Sequence, residues 1–355
     1  MSVQFHTLTV RELRRETPDT VSVSFHVPAD KRQAFQFKQG QYLTLKTTIG
    51  GEEVRRSYSI CTGVQENDLR VAIKKVDGGV FSTWANEHLK TGDTLEVMPP
   101  QGNFFTELNP ANTKLYVAFA AGSGITPVMS ILRSTLELEP QSRFVLFYGN
   151  RSFDYIIFRE QLEELKNRNP ERLSVHHILS RESLGSDLFQ GRITGEKCAR
   201  YARVFFNPAE VDAFFLCGPE EMVFEVKDTL NQLGANPKSV HFELFNTSAG
   251  KAKPVAVSNR EAFEASITVI QDGAEFDFKL PSDGSTLLDA AMRAGADLPF
   301  SCKGGVCSTC KAKILEGKAE MSVNYGLEPD EVEAGYVLTC QAHPVSKRVV
   351  VSFDV

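Results

Sequence analysis

Tryptophan is almost missing from this 355-residue chain, which contains one, and no apolar run approaches the length that crosses a bilayer, roughly 20 residues. Basic residues are not in excess, with 39 Lys and Arg against 45 Asp and Glu. That balance argues against a nucleic-acid binder, which needs a basic footprint. The opening stretch MSVQFHTLTVRELRRE has no apolar core followed by a small-residue cleavage site, so no secretory leader is expected and the cytoplasm is the expected compartment. No repeat at solenoid periods is present. Cysteine is scarce before residue 302, where only Cys61, Cys198 and Cys217 occur, too few and too scattered for a disulfide framework. What is there is the composition of a folded soluble protein, 42% apolar and 24% charged, long enough for two or three domains.

Charge and cysteine are both concentrated at one end. Residues 263–355 carry 14 acidic and 8 basic side chains, which accounts for the whole net charge of −6. An acidic segment of this kind suits steering toward a basic protein partner. The same segment holds Cys302, Cys307, Cys310 and Cys340, and in a reducing compartment such a group holds metal more readily than it forms disulfides.

The rhythm of the chain changes twice. Residues 1–106 contain short alternating runs such as HTLTVREL, TVSVSFHV, QYLTLKTTI, LRVAIKKV and DTLEVMPP, punctuated by glycine pairs. They predict a small antiparallel β-barrel interrupted by one helix over 82–89. Residues 107–245 alternate apolar strands (YVAFAA, RFVLFYG, LSVHHIL, AFFLCG) with amphipathic stretches, the pattern of a parallel α/β sheet covered by helices. Residues 246–262, polar with glycine and proline, read as a linker. Residues 263–355 offer strands ASITVI, EFDFKL and RVVVSF and a helix over 286–294.

In FSCKGGVCSTCK (300–311) the cysteines are separated by four and then two residues, with Cys340 distant in LTCQ. Four thiolates at this spacing suit two irons bridged by two sulfides, with a reduction potential of about −400 mV. A zinc site would more often use two Cys-x-x-Cys pairs. Gly304, Gly305, Ser308 and Thr309 are small enough to let backbone N–H groups approach cluster sulfurs. Residues 263–355 resemble a plant-type ferredoxin domain of α+β, β-grasp-like fold, with Cys302, Cys307, Cys310 and Cys340 at its four ligand positions.

Two further motif pairs concern nucleotides. Arg56-Ser57-Tyr58-Ser59 joins a guanidinium for a pyrophosphate, a flat ring for an isoalloxazine and a hydroxyl for flavin N5. Gly79 and Ser82 open the expected helix, whose N-terminal amides suit a phosphate. Together they resemble the FAD domain of the ferredoxin–NADP reductase family, which implies that Ile73 to Val76 also lie near the ribityl and adenosine parts. Further on, Gly122-Ser123-Gly124-Ile125-Thr126-Pro127 follows a strand and opens a helix, and Cys217-Gly218-Pro219 does the same. Ligands bind at such carboxyl ends. This pair resembles the pyridine-nucleotide domain of the same family, and the resemblance implies that Thr126 and Cys217 flank the nicotinamide.

Ser180-Arg181, with Arg192 beyond, resembles the phosphate clamp of NADPH-using members, although the adjacent Glu182 would suit the ribose hydroxyls of NADH. Phe245 resembles the aromatic that covers the flavin. On this reading Tyr58, Ser59 and Cys217 serve the reaction. The chemistry belongs to the cofactors, with hydride passing to FAD and single electrons to the cluster, so no general-base dyad is expected.

The order of the three parts, with RRSYSIC (55–61), AAGSGITPVMSIL (120–132), YGNR (148–151), DLPFSCKGGVCSTCK (297–311) and NYGLEPDEVEAGYVLTCQA (324–342), resembles the reductase components of multicomponent oxygenases. That likeness implies a di-iron oxygenase as electron acceptor, one that epoxidises the aromatic ring of phenylacetyl-CoA. A Rieske-type, another di-iron or a steroid hydroxylase is the alternative acceptor. A ferredoxin-like carrier or redox sensor is the non-enzymatic alternative. Glu328, Asp330, Glu331 and Glu333 are candidate docking charges for the acceptor.

Overall fold

A computed structural model of the chain describes residues 4–183, 185–245 and 262–354. The segment expected as a linker, 246–262, lies outside the described residues except for Ala262. By its internal contacts the chain separates into two units. Of the described residues, those in 5–54 and 58–245 form one, and 262–354 belong to the other.

The first unit begins with six strands, β1 (His6–Thr17), β2 (Thr20–His26), β3 (Tyr42–Ile49), β4 (Glu52–Ser59), β5 (Leu69–Lys74) and β6 (Thr94–Val97). They form an antiparallel sheet in the order β4-β3-β6-β1-β2-β5. β3 turns into β4 through Gly50 and Gly51, both at positive φ, a conformation that favours glycine. Beyond β4 the chain curls back to the opposite edge. Ile60 bridges to Val71 and the Cys61 N–H donates to the Arg70 carbonyl at 2.9 Å, which closes the barrel. Alternation puts Leu8, Val21, Val23, Leu43, Leu45, Val71, Leu95 and Val97 into its interior. The helix α1 runs Val80–Glu87, two residues ahead of the expected 82–89, because Gly79 is already the extended N-cap.

The second half of this unit is a five-stranded parallel sheet, β7 (Leu115–Ala121), β8 (Arg143–Asn150), β9 (Leu173–Leu179), β10 (Ala213–Gly218) and β11 (Val240–Leu244). The strand order is β11-β10-β7-β8-β9. Helices α2 (Ile125–Leu138), α3 (Arg159–Arg168), α4 (Gly195–Val204) and α5 (Glu220–Gln232) connect the strands. Helices on both faces explain why the central strands are continuously apolar and why His176 and His177, on opposite faces of β9, are both half-buried. His176 stacks on Phe147, ring centroids 5.0 Å apart, and burial pushes it down to about 4, so it is neutral at pH 7. The strand order reverses between β7 and β10, the place where sheets of this kind bind ligands. Barrel and sheet share one apolar cluster, in which Cys61, Ala72 and Phe104 of the barrel half pack with Ile131, Tyr116 and Phe215 of the sheet half.

The other unit holds a mixed sheet in the order β13-β12-β18-β14-β16, built from β12 (Glu264–Gln271), β13 (Ala274–Pro281), β14 (Lys311–Glu316), β16 (Tyr336–Leu338) and β18 (Arg348–Ser352). β12 and β18 are parallel and the remaining pairs antiparallel. The short β15 (Ala319–Met321) and β17 (Ala342–Pro344) pair separately. Helix α6 (Leu287–Arg293) is capped by Thr286, whose hydroxyl accepts from the Asp289 N–H. A short helix α7 (Pro329–Glu333) follows later.

One buried carboxylate ties the passage from barrel to sheet. Glu139 is fully buried at the end of α2. It accepts from the Asn109 N–H (3.0 Å) and the hydroxyls of Tyr116 (2.9 Å) and Ser142 (2.8 Å). Burial alone would raise its pKa, yet these donors hold it below the usual range. Its stabilisation is therefore present above the ordinary carboxyl pKa and fades as the pH falls below it. Glu139→Gln is expected to cost about 1–3 kcal/mol at pH 7 and to flatten the acid limb of the unfolding curve. Thermal scans from pH 7 to 4 check this, and a variant that keeps the parent's acid sensitivity would count against it.

Candidate cofactor sites

The two glycine turns of the parallel sheet meet. After β7 the segment Gly122–Gly124 forms a single 3-10 turn into α2, and after β10 Pro219 caps α5. A Cβ on Gly124 would lie 2.1 Å from the Cys217 carbonyl oxygen, so only glycine lets the backbones touch. Cys217 pairs with Ala120 on one side and with Glu243 of β11 on the other. Burial raises its thiol pKa well above the ordinary value, with Glu243 adding to the effect, so it is a neutral thiol rather than a thiolate nucleophile. Thr126 is buried and donates to the Ser123 carbonyl at 3.0 Å, while Pro127 fills the first turn of α2.

The barrel delivers its own groups to this place. Ser59, the last residue of β4, has Oγ 3.4 Å from Oε2 of Glu243. Glu243 is half-buried, and desolvation of its carboxyl raises the pKa to about 8, so it holds a proton at neutral pH. Lys74 of β5 reaches the first turn, its Nζ 3.5 Å from where a Gly122 Cβ would stand. Its charge is balanced at 4.0 Å by Asp19, which also pairs with Arg151 at 2.6 Å. Burial lowers the Lys74 pKa. Two cations around one carboxylate leave net positive charge beside a glycine turn, the arrangement a pyrophosphate needs.

The remaining candidates fall into three groups. Tyr58 lies beside Phe81, centroids 5.6 Å apart, and Arg56, exposed, precedes it on the same strand with Ser57 between them. Ser82 is turned inward, where its Oγ accepts from the Val76 N–H at 3.1 Å and donates to the Gly79 carbonyl. It therefore shapes the 76–82 loop, while Gly79 keeps the loop closed. Of Ile73 to Val76, Ile73 is wholly buried in the barrel core, so Lys74 onward are the accessible members.

Ser180 and Arg181 extend the β8–β9 ladder, their N–H groups donating to Asn150 and Arg151 carbonyls at 2.9 and 2.8 Å. Both side chains are exposed, as is Arg192. They stand two strands from β7, about 10 Å, a span that a dinucleotide bridges. Glu182 accepts from the Phe153 N–H at 3.0 Å. Gly218 and Pro219 border the second turn, and Phe245, 37% exposed, follows β11 two residues after Glu243. Glu243 escaped sequence reading because it belongs to no glycine or cysteine motif, whereas Lys74 lies within the Ile73 to Val76 stretch expected near the flavin's ribityl and adenosine parts. A lone carboxylate within the mostly apolar run VHFELF was the available signal.

In the other unit the four cysteine sulfurs form two pairs. The Cys302 N–H donates to the Cys307 sulfur (3.5 Å), and the Gly304 and Cys307 N–H groups donate to that of Cys302 (3.3 and 3.4 Å). The Thr309 hydroxyl donates to Cys307 at 3.2 Å. Lys303 and Ser308 adopt positive φ to make this wrapping possible. The hydrogen bond between Cys302 and Cys307 lowers the pKa of Cys302 and raises that of Cys307, and the hydrogen bond with Cys340 raises that of Cys310. Among the described residues no group of three or more His, Cys, Asp or Glu gathers to hold a single ion. Two thiol pairs with amide donors aimed at sulfur fit two irons bridged by sulfides.

Of the acidic run, Glu331 is occupied, accepting from the Glu328 N–H at 3.0 Å and pairing with Lys311 at 3.0 Å. Asp330 and Glu333 are exposed.

Residues 7–106 match the oxidoreductase FAD-binding domain family, 119–228 the oxidoreductase NAD-binding domain family, and 269–345 the 2Fe-2S iron-sulfur cluster binding domain family. Fold and sites thus define an NAD(P)H-dependent flavin and iron–sulfur oxidoreductase. The chain is 46% identical to a component of the 1,2-phenylacetyl-CoA epoxidase of Escherichia coli (strain K12), over 99% of this chain and 98% of that one. It is 37% identical to the ferredoxin reductase component of 3-ketosteroid-9-alpha-monooxygenase of Rhodococcus rhodochrous, over 98% and 96%. The chain belongs to this family of oxygenase reductase components. The solved structure of phthalate dioxygenase reductase shares the fold, with a TM-score of 0.59, 23% identity and 98% of both chains covered.

Because folded Glu243 keeps its proton between the ordinary carboxyl pKa and about 8, stability falls as the pH rises through that window and levels off above it. Glu243→Gln is expected to remove this slope and, with it, any titration near pH 8 in flavin reduction. Thermal scans and rapid mixing from pH 5 to 9 check both; an unchanged profile in the variant would refute the assignment.

Proposed function

We propose that this protein carries reducing equivalents from NADPH through FAD and a [2Fe–2S] cluster to a di-iron oxygenase that epoxidises the ring of phenylacetyl-CoA, in the cytoplasm. When bound, flavin accepts hydride as an electron pair and can release electrons singly to a one-electron cluster. The chain's own residues bind and orient. Lys74 and the amides of both glycine turns hold the dinucleotide pyrophosphate. The neutral Cys217 and Thr126 line the nicotinamide end, Ser59 and Tyr58 face the flavin, and Glu243 keeps its carboxyl protonated beside Ser59. Phe245 covers the flavin, and Arg56 with the 76–82 loop takes its phosphates.

The observation that carries this reading is the contact of Gly124 with the Cys217 carbonyl beside Ser59 and Glu243. It supports reading the Gly122–Gly124 turn as the nucleotide turn beside the flavin strand β4. NADPH is favoured over NADH because the carboxylate of Glu182 is engaged by Phe153 N–H, while Ser180, Arg181 and Arg192 are exposed for a 2′-phosphate. The particular acceptor rests on the 46% identity over the full length. A steroid hydroxylase is the second reading, supported by the 37% relative. For the compartment, the support is that no helix among the described residues is long and apolar enough to cross a membrane, together with a thiol cluster that needs reducing surroundings. Asp330 and Glu333 are the docking charges that remain available.

Anaerobic NADPH is expected to bleach the visible spectrum of the purified protein. Arg181→Ala should narrow the preference over NADH by roughly tenfold, the worth of one charge-assisted hydrogen bond. Equal use of both nucleotides by the parent would sink the NADPH assignment. Reconstitution with the phenylacetyl-CoA and ketosteroid oxygenases then decides the acceptor, since product should form with the first alone. Asp330→Asn with Glu333→Gln should slow that transfer while leaving dye reduction intact.

A further inference from the structure

Helix α2 carries the first glycine turn at its N-terminus, and one face of it is fastened to the barrel. Ser130, Arg133 and Ser134 stand at i, i+3 and i+4, hence on one side of the helix. The Ser130 hydroxyl donates to the Thr62 carbonyl at 2.7 Å. The Ser134 hydroxyl accepts from the Val64 N–H at 3.1 Å. Arg133 pairs with Glu66 at 2.7 Å, and the same Glu66 oxygen accepts from the Gly63 N–H at 3.2 Å, closing loop 61–66 on itself. Both serines are buried. Serine is a poor choice for a helix interior, where its hydroxyl competes for backbone groups, so two buried ones need these partners. The approach is tight: a Cβ on Gly63 would stand 3.3 Å from Arg133 Cβ and 3.6 Å from the Ser134 nitrogen.

Loop 61–66 is the direct continuation of β4. Thr62 is three residues past Ser59, at most about 10 Å of chain, and Ser130 is one turn past Thr126, about 6 Å. The clasp therefore sits between the flavin strand and the nucleotide turn, by the shortest covalent routes to each. We propose that Ser130, Arg133, Ser134 and Gly63 are positioning residues that set the separation between the nicotinamide and flavin half-sites, and that they contribute to transfer rate rather than to nucleotide affinity. This rests on the hydride-transfer reading above. Hydride transfer is steep in distance, a 1 Å misplacement costing about 100-fold. Nucleotide binding uses Gly122, Lys74 and the distant Ser180–Arg181, none of which the clasp touches.

The test compares FAD-loaded parent, Gly63→Ala and the milder Ser130→Ala. Four quantities are read: NADP+ affinity by calorimetry, the long-wavelength absorbance of nicotinamide stacked on flavin, the flavin-reduction rate constant on rapid mixing with NADPH, and thermal unfolding. NADP+ affinity is expected to stay within about twofold, while the stacking absorbance weakens and the rate constant falls about tenfold in Gly63→Ala, consistent with a displacement of tenths of an ångström. Ser130→Ala should fall in the same direction by less. Unchanged rate and absorbance in both variants would overturn the proposal, as would an affinity loss matching the rate loss. If Gly63→Ala fails to fold, Ser130→Ala alone decides. A parent that shows neither the absorbance nor NADPH-driven reduction would instead overturn the functional reading on which the clasp depends.

Discussion

Backbone contact between Gly124 and the carbonyl of Cys217 is the constraint around which the oxidoreductase unit is arranged. Two strand-to-helix turns, about 90 residues apart in sequence, can meet here only because the residue facing the Cys217 carbonyl carries no side chain. Their meeting fixes β7 against β10 where the sheet reverses its order, and α2 and α5 start from the same small region. The two turns thereby lie side by side, and the neutral thiol of Cys217 is buried at their junction.

The barrel is fitted to this core rather than merely attached to it. Phe104 and Phe215 meet edge to face at 5.5 Å, and Cys61 and Ala72 join the apolar cluster of the sheet. Polar links follow the same boundary: Lys74 and Asp19 toward Arg151 on one side, Ser130 and Ser134 toward loop 61–66 on the other. A shared dry core resists sliding, because its packing has few alternative arrangements of similar energy. That is the mechanical property a two-cofactor transfer needs, since the cofactors do the chemistry and the protein supplies placement.

The iron–sulfur unit solves a different problem, holding anionic sulfur in protein. Amide donors and the Thr309 hydroxyl converge on Cys302 and Cys307, supplying stabilisation that water would otherwise provide. The positive φ values at Lys303 and Ser308 are local strain that a bound cluster and its hydrogen bonds offset.

Much of this was legible in the residues alone. Alternating barrel runs, apolar parallel strands, glycine turns and four spaced cysteines are local patterns, and local patterns determine element type, the strand-to-helix turns and which thiols gather in one loop. Three things depended on tertiary structure. Glu243 belongs with Ser59 only because β11 lies beside β10. Lys74 belongs with Gly122 only because barrel and sheet share a core. Ser82 turns inward to hold its loop. Each is a pairing between residues separated by several to nearly two hundred positions. Sequence records which groups exist, but burial, charge and hydrogen-bond partners arise only when distant segments exclude water from the same place.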